Sequence, residues 1–350
     1  MSLARAWRWH DEPALAAWGA TPTGKAGLWL AALLLVPDPV RLPVALALVP
    51  TLAWPERRID VLALAALGVL LVRVPSSLDP PGLALRAVTA LLVLGVLLAF
   101  WWAARHFRDL PSIVRRFPIA TAHAALLGLG AGSVVLRRVL HVEHDTPAAI
   151  PLVGLQTLSL FLLWRVSYLV LAGRRGTVAK DRFRDHLFYL LPLWGGTKTP
   201  YGKGHGYLMQ RYASSSADLA VTRLAGIKLL GLAWVWAGVT LLVQAGVHGN
   251  GPAGLGWLAA HGLGIPLIDD AIVAGPATHS LATRWGVVLA GLVGKVLDLA
   301  VYGHVAVGIL RLFGFRAFRN TYKPLLAPSV LEFWNRYFYY FKELMVEFFF

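Results

Sequence analysis

The C-terminal stretch LFGFRAFRNTYKPLLAPSVLEFWNRYFYYFKELMVEFFF, residues 312–350, joins a basic, proline-containing loop to a strongly aromatic segment. Pro328 is followed by Ser329-Val-Leu-Glu332, a capping-box pattern that predicts the start of a helix at this point. Aromatic side chains cover most sides of this predicted helix, and Asn335 and Arg336 are among its few polar groups. Such a helix belongs either inside a helical bundle or at a membrane interface, where it would act as an aromatic anchor.

The composition of the whole chain indicates a polytopic membrane protein. Of its 350 residues, 57% are hydrophobic and only 15% are charged, whereas a soluble domain has roughly 25% charged residues. The net charge of +15 does not indicate a nucleic-acid partner, because the basic residues lie mostly in short loops between apolar runs. The absence of cysteine excludes disulfides and thiolate metal sites.

Runs of about 20 apolar residues predict the membrane spans. The predicted spans are Ile59 to Val74, Gly82 to Ala104, Pro118 to Leu136, Pro151 to Ala172, Leu229 to Val247 and Trp285 to Leu310. The run from Ala26 to Ala53 differs, because Pro37-Asp38-Pro39 and Arg41 divide it into halves that are each short for a span. It predicts a tight hairpin or a re-entrant pair of helices shielded by protein.

The distribution of basic residues predicts the orientation. No Lys or Arg lies between Lys228 and Arg284, so this interval is expected outside. The interval from Gly173 to Lys228 holds ten Lys or Arg and three Asp, and is expected inside. The N-terminus is then cytoplasmic, and the protein is expected in a bacterial cytoplasmic (inner) membrane. Residues 1–25 are predicted to be an interfacial segment and residues 26–350 a single transmembrane domain.

Two blocks of sequence resemble the membrane-bound O-acyltransferase family. In that family a motif begins with LFGF, continues with Asn and a Pro-Leu-Leu or similar run, and ends with Phe-Trp, a basic residue and Trp-His. In this chain Tyr337-Phe338 stands in place of the final Trp-His pair. The second block, residues 151–194, is similar to a family stretch in which a helix ending in Ser-Tyr and a basic loop precede a re-entrant turn. The resemblance therefore covers a core of residues 151–350. It lacks the family's later histidine segment, so the chain is expected to be incomplete at its C-terminus.

The resemblance implies an all-α, polytopic helical bundle with at least one re-entrant segment. It implies transfer of an acyl group from a cytoplasmic donor, an acyl-CoA or an acyl-carrier protein, to a hydroxyl of a lipid or an extracytoplasmic glycan. No cofactor is expected. The expected partners are membrane lipids, the acyl donor and an accessory membrane or extracytoplasmic protein. A catalytically inactive scaffold subunit and a membrane transporter are the alternative functions.

A set of charged residues is predicted to bind the acyl donor or another substrate. Pro192, Gly195 and Gly196 predict a re-entrant turn, and broken backbone at membrane depth tends to line a cavity. The predicted binding residues beside it and in the C-terminal block are Lys198, Lys203, Arg211, Lys323 and Glu332. The alternative for the basic members is that they are ordinary inside charges that touch lipid phosphates.

Polar residues in the last predicted span and in the C-terminal aromatic helix supply the catalytic candidates that the resemblance implies. Lys295, Asp298 and Tyr302 recur at helical spacing, which predicts an intramembrane pair of Lys295 and Asp298 facing the interior, either functional or structural. His304 is the candidate general base, and Asn335 and Arg336 are the candidate oxyanion stabilisers. The alternative for His304 is a hydrogen bond between helices.

No metal site is predicted from the sequence. His141 and His144 with Glu143 and Asp145 are too few ligands in a loop.

Overall fold

The computed structural model describes residues 8–72, 82–143, 146–194, 199, 201–248, 261, 264–275 and 278–349. Every regular element in this described part is helical, which confirms the all-α prediction. The α-helices are α1 (Pro13–Ala20), α2 (Pro22–Leu35), α3 (Arg41–Ala53), α4 (Arg58–Val72), α5 (Leu83–Arg105), α6 (Ser112–Arg116), α7 (Pro118–Val139), α8 (Ala149–Arg174), α9 (Phe183–Leu190), α10 (His205–Gln210), α11 (Ser216–Val243), α12 (Ile268–Ala274), α13 (Leu281–Leu312), α14 (Val330–Tyr337) and α15 (Tyr339–Phe349). Short 3-10 helices lie at Trp9–Asp11, Pro55–Arg57, Phe107–Asp109, Val178–Lys180 and Pro324–Leu326, and a π-helical turn at Gln244–His248 extends α11.

Among the described residues, five helices are long and apolar enough to cross a membrane: α5, α7, α8, α11 with its π-helical turn, and α13. They coincide with five of the six predicted spans. The sixth predicted span, Ile59 to Val74, corresponds to α4, which has 15 residues. Helix α4 ends at Val72, where the described residues themselves end, so the predicted span from Ile59 to Val74 stays a prediction.

The predicted interruption near Pro37 divides the first apolar run into two short helices, α2 and α3, which pack against each other. Arg41 Nε donates to the carbonyl of Val36 at 2.9 Å and so stabilises the turn between them. Trp29 Nε1 donates to the carbonyl of Ala45 at 3.0 Å and joins the two helices. This confirms a hairpin of two helices, each shorter than a membrane span.

The long helices pack in two groups: α5 and α7 flank α8, and α13 packs along α11. The second contact is very close where Gly226 of α11 faces Gly308 of α13. A Cβ atom at Gly226 would lie 2.8 Å from the carbonyl oxygen of Gly308. Small residues at helix crossings permit such approaches between membrane helices, and this one positions the C-terminal half of α13.

Where the sequence predicts a re-entrant turn, the structure describes a short helix that stops. Helix α9 ends at Leu190, two residues before Pro192, and its second half, from His186 to Leu190, is buried. Arg165 of α8 fixes this end, because its Nη1 donates to the carbonyl of Tyr189 at 3.0 Å. The returning limb, residues 195–198 and 200, lies outside the described residues, as does Lys198.

The described part of the N-terminal segment contacts the helical bundle. Helix α1 packs on α11, with Ala16 and Gly19 buried between them, and the Trp9–Asp11 helix also contacts α11. The interfacial location predicted for residues 1–25 stays a prediction.

A cysteine-labelling experiment tests the predicted orientation. The chain has no cysteine of its own, and Val273 of α12 and Ala179 are both exposed. In intact cells, Val273→Cys is expected to react with an impermeant maleimide from outside, whereas Ala179→Cys is expected to react only after permeabilisation. If only Ala179→Cys were labelled in intact cells, the orientation would be the reverse of the predicted one.

Candidate functional site

His304 is buried in α13, with 7% of its surface exposed. It lies eight residues before Leu312, or about 12 Å from that end of the helix. Its Nδ1 is 2.6 Å from the carbonyl oxygen of Ala300. A carbonyl can only accept, so Nδ1 carries the proton in this contact, and Nε2 of the neutral ring is left with a lone pair. This tautomer is the one that a histidine base requires.

The loop that follows α13 folds back against His304. A Cβ atom on Gly303 would lie 2.9 Å from Cβ of Asn320, so only glycine permits this approach. Asn320 is 1% exposed, and its side-chain oxygen accepts from the backbone N–H of Tyr340 at 3.2 Å. The backbone N–H of Tyr339 donates to the carbonyl of Asn320 at 2.9 Å. The loop, α13 and α15 therefore meet beside His304.

Basic groups surround this region. Arg319 and Arg311 both interact electrostatically with His304. Arg311 is fixed, since its Nε and Nη2 donate to the carbonyl of Ala317 at 3.1 and 2.8 Å. Lys228 of α11 interacts with the same two guanidinium groups and with Asp11 of the N-terminal segment. The site thus combines a buried imidazole with positive charge that would stabilise a developing anion.

The structure does not bring the other two predicted catalytic residues to His304. Arg336 Nε donates to Glu332 at 2.7 Å, and its Nη1 donates to the carbonyl of Leu326 at 3.2 Å. Asn335 is half-buried on the same helix, α14. Within the described residues no hydrogen bond or ion pair joins Asn335 or Arg336 to His304, and their catalytic roles stay predictions.

Glu332 lies in the first turn of α14. The hydroxyl of Ser329 accepts from the backbone N–H of Glu332 at 3.1 Å, which confirms the predicted N-cap. The carboxylate of Glu332 forms an ion pair with Arg336 one turn later, and its role in substrate binding stays a prediction. The aromatic segment is also two helices rather than one, because the backbone breaks at Phe338 between α14 and α15.

The predicted donor-binding cations have protein partners. Lys203, which has a left-handed φ of 54°, lies 2.6 Å from Glu343 and 3.5 Å from Glu347, both on α15. The guanidinium carbon of Arg211 lies 4.5 Å from the ring centre of Phe318. Lys323 also has a left-handed φ, 49°, and lies 5.7 Å from the ring of Tyr322. Lys203 therefore holds the C-terminal helix rather than presenting a free charge.

The intramembrane pair is not formed. Lys295 and Asp298 share a face of α13 as predicted, but Lys295 is exposed, and no ion pair joins the two within the part of the chain that the structure describes. Helical spacing decides which residues share a face, whereas packing decides where that face points. Here it points away from the helices of the bundle.

We expect Lys295→Met and Asp298→Leu each to change the free energy of unfolding in detergent by less than about 0.5 kcal/mol, as for surface substitutions. Thermal unfolding of the two single variants and the double variant measures this. If each single variant lost several kcal/mol of unfolding free energy and the double variant recovered it, Lys295 and Asp298 would form an interior ion pair after all.

A polar cluster that the sequence analysis missed lies between α8, α9 and α10. Oδ2 of Asp181 is 3.1 Å from Nε2 of His186 and 3.4 Å from Nδ1 of His205. The hydrogen bond from His186 lowers the pKa of Asp181, with burial opposing it. Burial and the neighbouring His186 lower the pKa of His205 to about 4. At neutral pH the cluster therefore holds neutral imidazole at His205 and a carboxylate at Asp181.

A cavity of about 280 Å³ adjoins this cluster. Lys203 and Glu347 lie in its wall together with His186 and His205. The only sequence signals were the close spacing of Asp181 and His186 and the glycines on both sides of His205. Neither signal shows that the two segments meet. His144 and Asp145, half of the weak candidate metal set, lie outside the described residues.

In comparisons with protein-family models, curated proteins and solved structures, the chain has no significant match.

Proposed function

We propose that this chain is a membrane-bound O-acyltransferase that moves an acyl group from a cytoplasmic acyl-CoA or acyl-carrier donor to a hydroxyl of a lipid or an extracytoplasmic glycan. The observation that carries the proposal is His304: a buried imidazole, held by Ala300 in the tautomer that leaves Nε2 as proton acceptor, beside a group of cations. The C-terminal segment from Leu312 onwards, which resembles the family, forms the loop that packs against Gly303, the neighbour of His304. The proposed location is the bacterial cytoplasmic membrane with the N-terminus inside.

The proposed reaction uses His304 as general base. Nε2 accepts the proton of the acceptor hydroxyl while the hydroxyl oxygen attacks the thioester carbonyl of the donor. The tetrahedral oxyanion that forms is stabilised by the positive charge of Arg319 and Arg311. Its collapse breaks the carbon–sulfur bond, and the leaving thiolate takes the proton from the imidazolium. The products are an ester and a free thiol, and no cofactor is consumed.

A scaffold subunit is the second candidate function. Tyr337-Phe338 stands where the resembling family has Trp-His, and the neighbouring Arg336 is held by Glu332. Both features fit a protein that keeps a fold without its chemistry, because fold alone does not determine function. The transporter alternative rested on Lys295, Asp298 and the re-entrant turn, and within the described residues Lys295 and Asp298 form no ion pair.

An acyl-transfer assay decides between these candidates. The purified protein is reconstituted in liposomes made from native lipids and given radiolabelled acyl-CoA or acyl-carrier protein, with and without membrane glycans. We expect a labelled ester and an equal amount of free thiol. If no donor supports transfer, while the protein reproducibly copurifies with a membrane or extracytoplasmic partner, the scaffold function replaces the enzyme.

A further inference from the structure

We infer that Asp181, His186 and His205 form a three-ligand site for a divalent transition-metal cation of the zinc class. The inference concerns binding and does not depend on the proposed acyl transfer. None of these three residues belongs to the group around His304.

The three ligand atoms converge on one point. Oδ2 of Asp181 lies 3.1 Å from Nε2 of His186 and 3.4 Å from Nδ1 of His205, and all three atoms lie within 4.8 Å of one another. Zinc binds imidazole nitrogen and carboxylate oxygen at about 2.0–2.2 Å, so tetrahedral ligands are separated by about 3.3–3.5 Å. The two distances to Oδ2 lie within a few tenths of an ångström of this spacing, and the two ring nitrogens are no more than 4.8 Å apart, so an ion can bind all three after a shift of the side chains.

The backbone holds each ligand in place. Asp181 follows the Val178–Lys180 helix, and Arg105 Nη1 donates to its carbonyl at 2.8 Å. His186 lies in α9 with its side chain 3% exposed, so its ring has little freedom to turn away. His205 begins α10 directly after Gly204, whose φ of 149° is one that side chains rarely adopt. Ligands fixed in this way lose little conformational entropy when a metal binds.

The chemistry and the surroundings of the site both suit such a cation. Two imidazoles and one carboxylate form a donor set used by catalytic zinc sites, and zinc binds such sites more tightly than Fe²⁺ or Mn²⁺ does. The site is open on one side, because His186 and His205 line the cavity of about 280 Å³ that also contains Lys203. A metal held here would keep a coordination position for water or a ligand from that cavity.

The first test measures metal content. The full chain is purified in detergent, stripped with a chelator, reloaded with ZnCl₂ and desalted, and its zinc is then measured by mass spectrometry. We expect stoichiometric zinc that raises the midpoint of thermal unfolding. Loss of zinc on desalting, to the level of a stripped sample that was never reloaded, would overturn the inference.

Variants locate the ion. Asp181→Asn keeps the shape of the carboxylate and His205→Gln keeps a hydrogen-bonding group, and both are expected to lose stoichiometric zinc. His123→Gln is the matched control: this histidine also contacts a side chain, with Nε2 2.7 Å from Oγ of Ser167, but no carboxylate, and it should retain zinc. Retention of zinc by both site variants would contradict the assignment.

Cobalt substitution keeps the test decisive if a variant fails to fold. Wild-type protein loaded with CoCl₂ is expected to show the visible absorption of tetrahedral Co²⁺ with nitrogen and oxygen ligands. A spectrum of hexaaqua Co²⁺ alone would show that the three side chains form only a hydrogen-bonded cluster. Zinc binding without acyl transfer would refute only the proposed function, and acyl transfer by a chain that binds no metal would refute only this inference.

Discussion

Replacement of His304 by alanine is expected to lower the turnover of acyl transfer by about 10²- to 10⁴-fold, the usual contribution of a positioned general base. The reason is the single lone pair at Nε2, which the contact with Ala300 leaves available. Steady-state kinetics with a labelled donor measure the effect. Donor binding, followed separately, should change little, because the imidazole accepts its proton only in the chemical step.

His123→Ala is the matched control for this experiment. It also removes an imidazole from a long membrane helix, α7, but that ring contacts Ser167 and the carbonyl of Leu163, away from the cationic group. We expect its turnover to stay within a few-fold of wild type.

Arg319→Ala should lower turnover through the lost positive charge, whereas Arg336→Ala should act only through the stability of α14. Unchanged turnover in the His304 variant would remove that residue from the mechanism.

Gly226→Ala is expected to destabilise the protein by about 1–3 kcal/mol, the usual range for an overpacked contact. The added methyl carbon would meet backbone atoms of α13, at 2.8 Å from the Gly308 carbonyl oxygen and 3.0 Å from the Leu312 nitrogen. Backbone cannot rotate away as a side chain can, so α11 and α13 must separate. Because α13 carries His304, acyl transfer should fall as well. Chemical unfolding in detergent measures the stability change.

Gly231→Ala supplies the control on the same helix. A Cβ atom there would meet nothing within 4 Å, and alanine favours a helix over glycine by up to about 1 kcal/mol. The protein should therefore be unchanged or slightly more stable. Equal destabilisation by both substitutions would show that α11 and α13 do not approach as closely as described.

Much of the helical framework could be predicted from the sequence because its signals are local. Apolar runs of about 20 residues marked five helices that are long enough to cross a membrane, Pro37-Asp38-Pro39 marked the break between α2 and α3, and Ser329 marked the start of α14. Each signal lies within one or two helical turns, where hydrophobicity and backbone hydrogen bonding act directly on the neighbouring residues.

The sequence by itself therefore determined which segments are helices and that the chain belongs in a membrane. Only the tertiary structure decided which side chains meet. Lys295 shares a face with Asp298 but remains exposed, whereas Asp181 and His205, which lie on either side of α9 in the sequence, come together. Such contacts depend on how distant segments pack. Packing is determined by the fit of whole helix surfaces, as at the close approach of Gly226 to Gly308, and not by the residues next to each group in the chain.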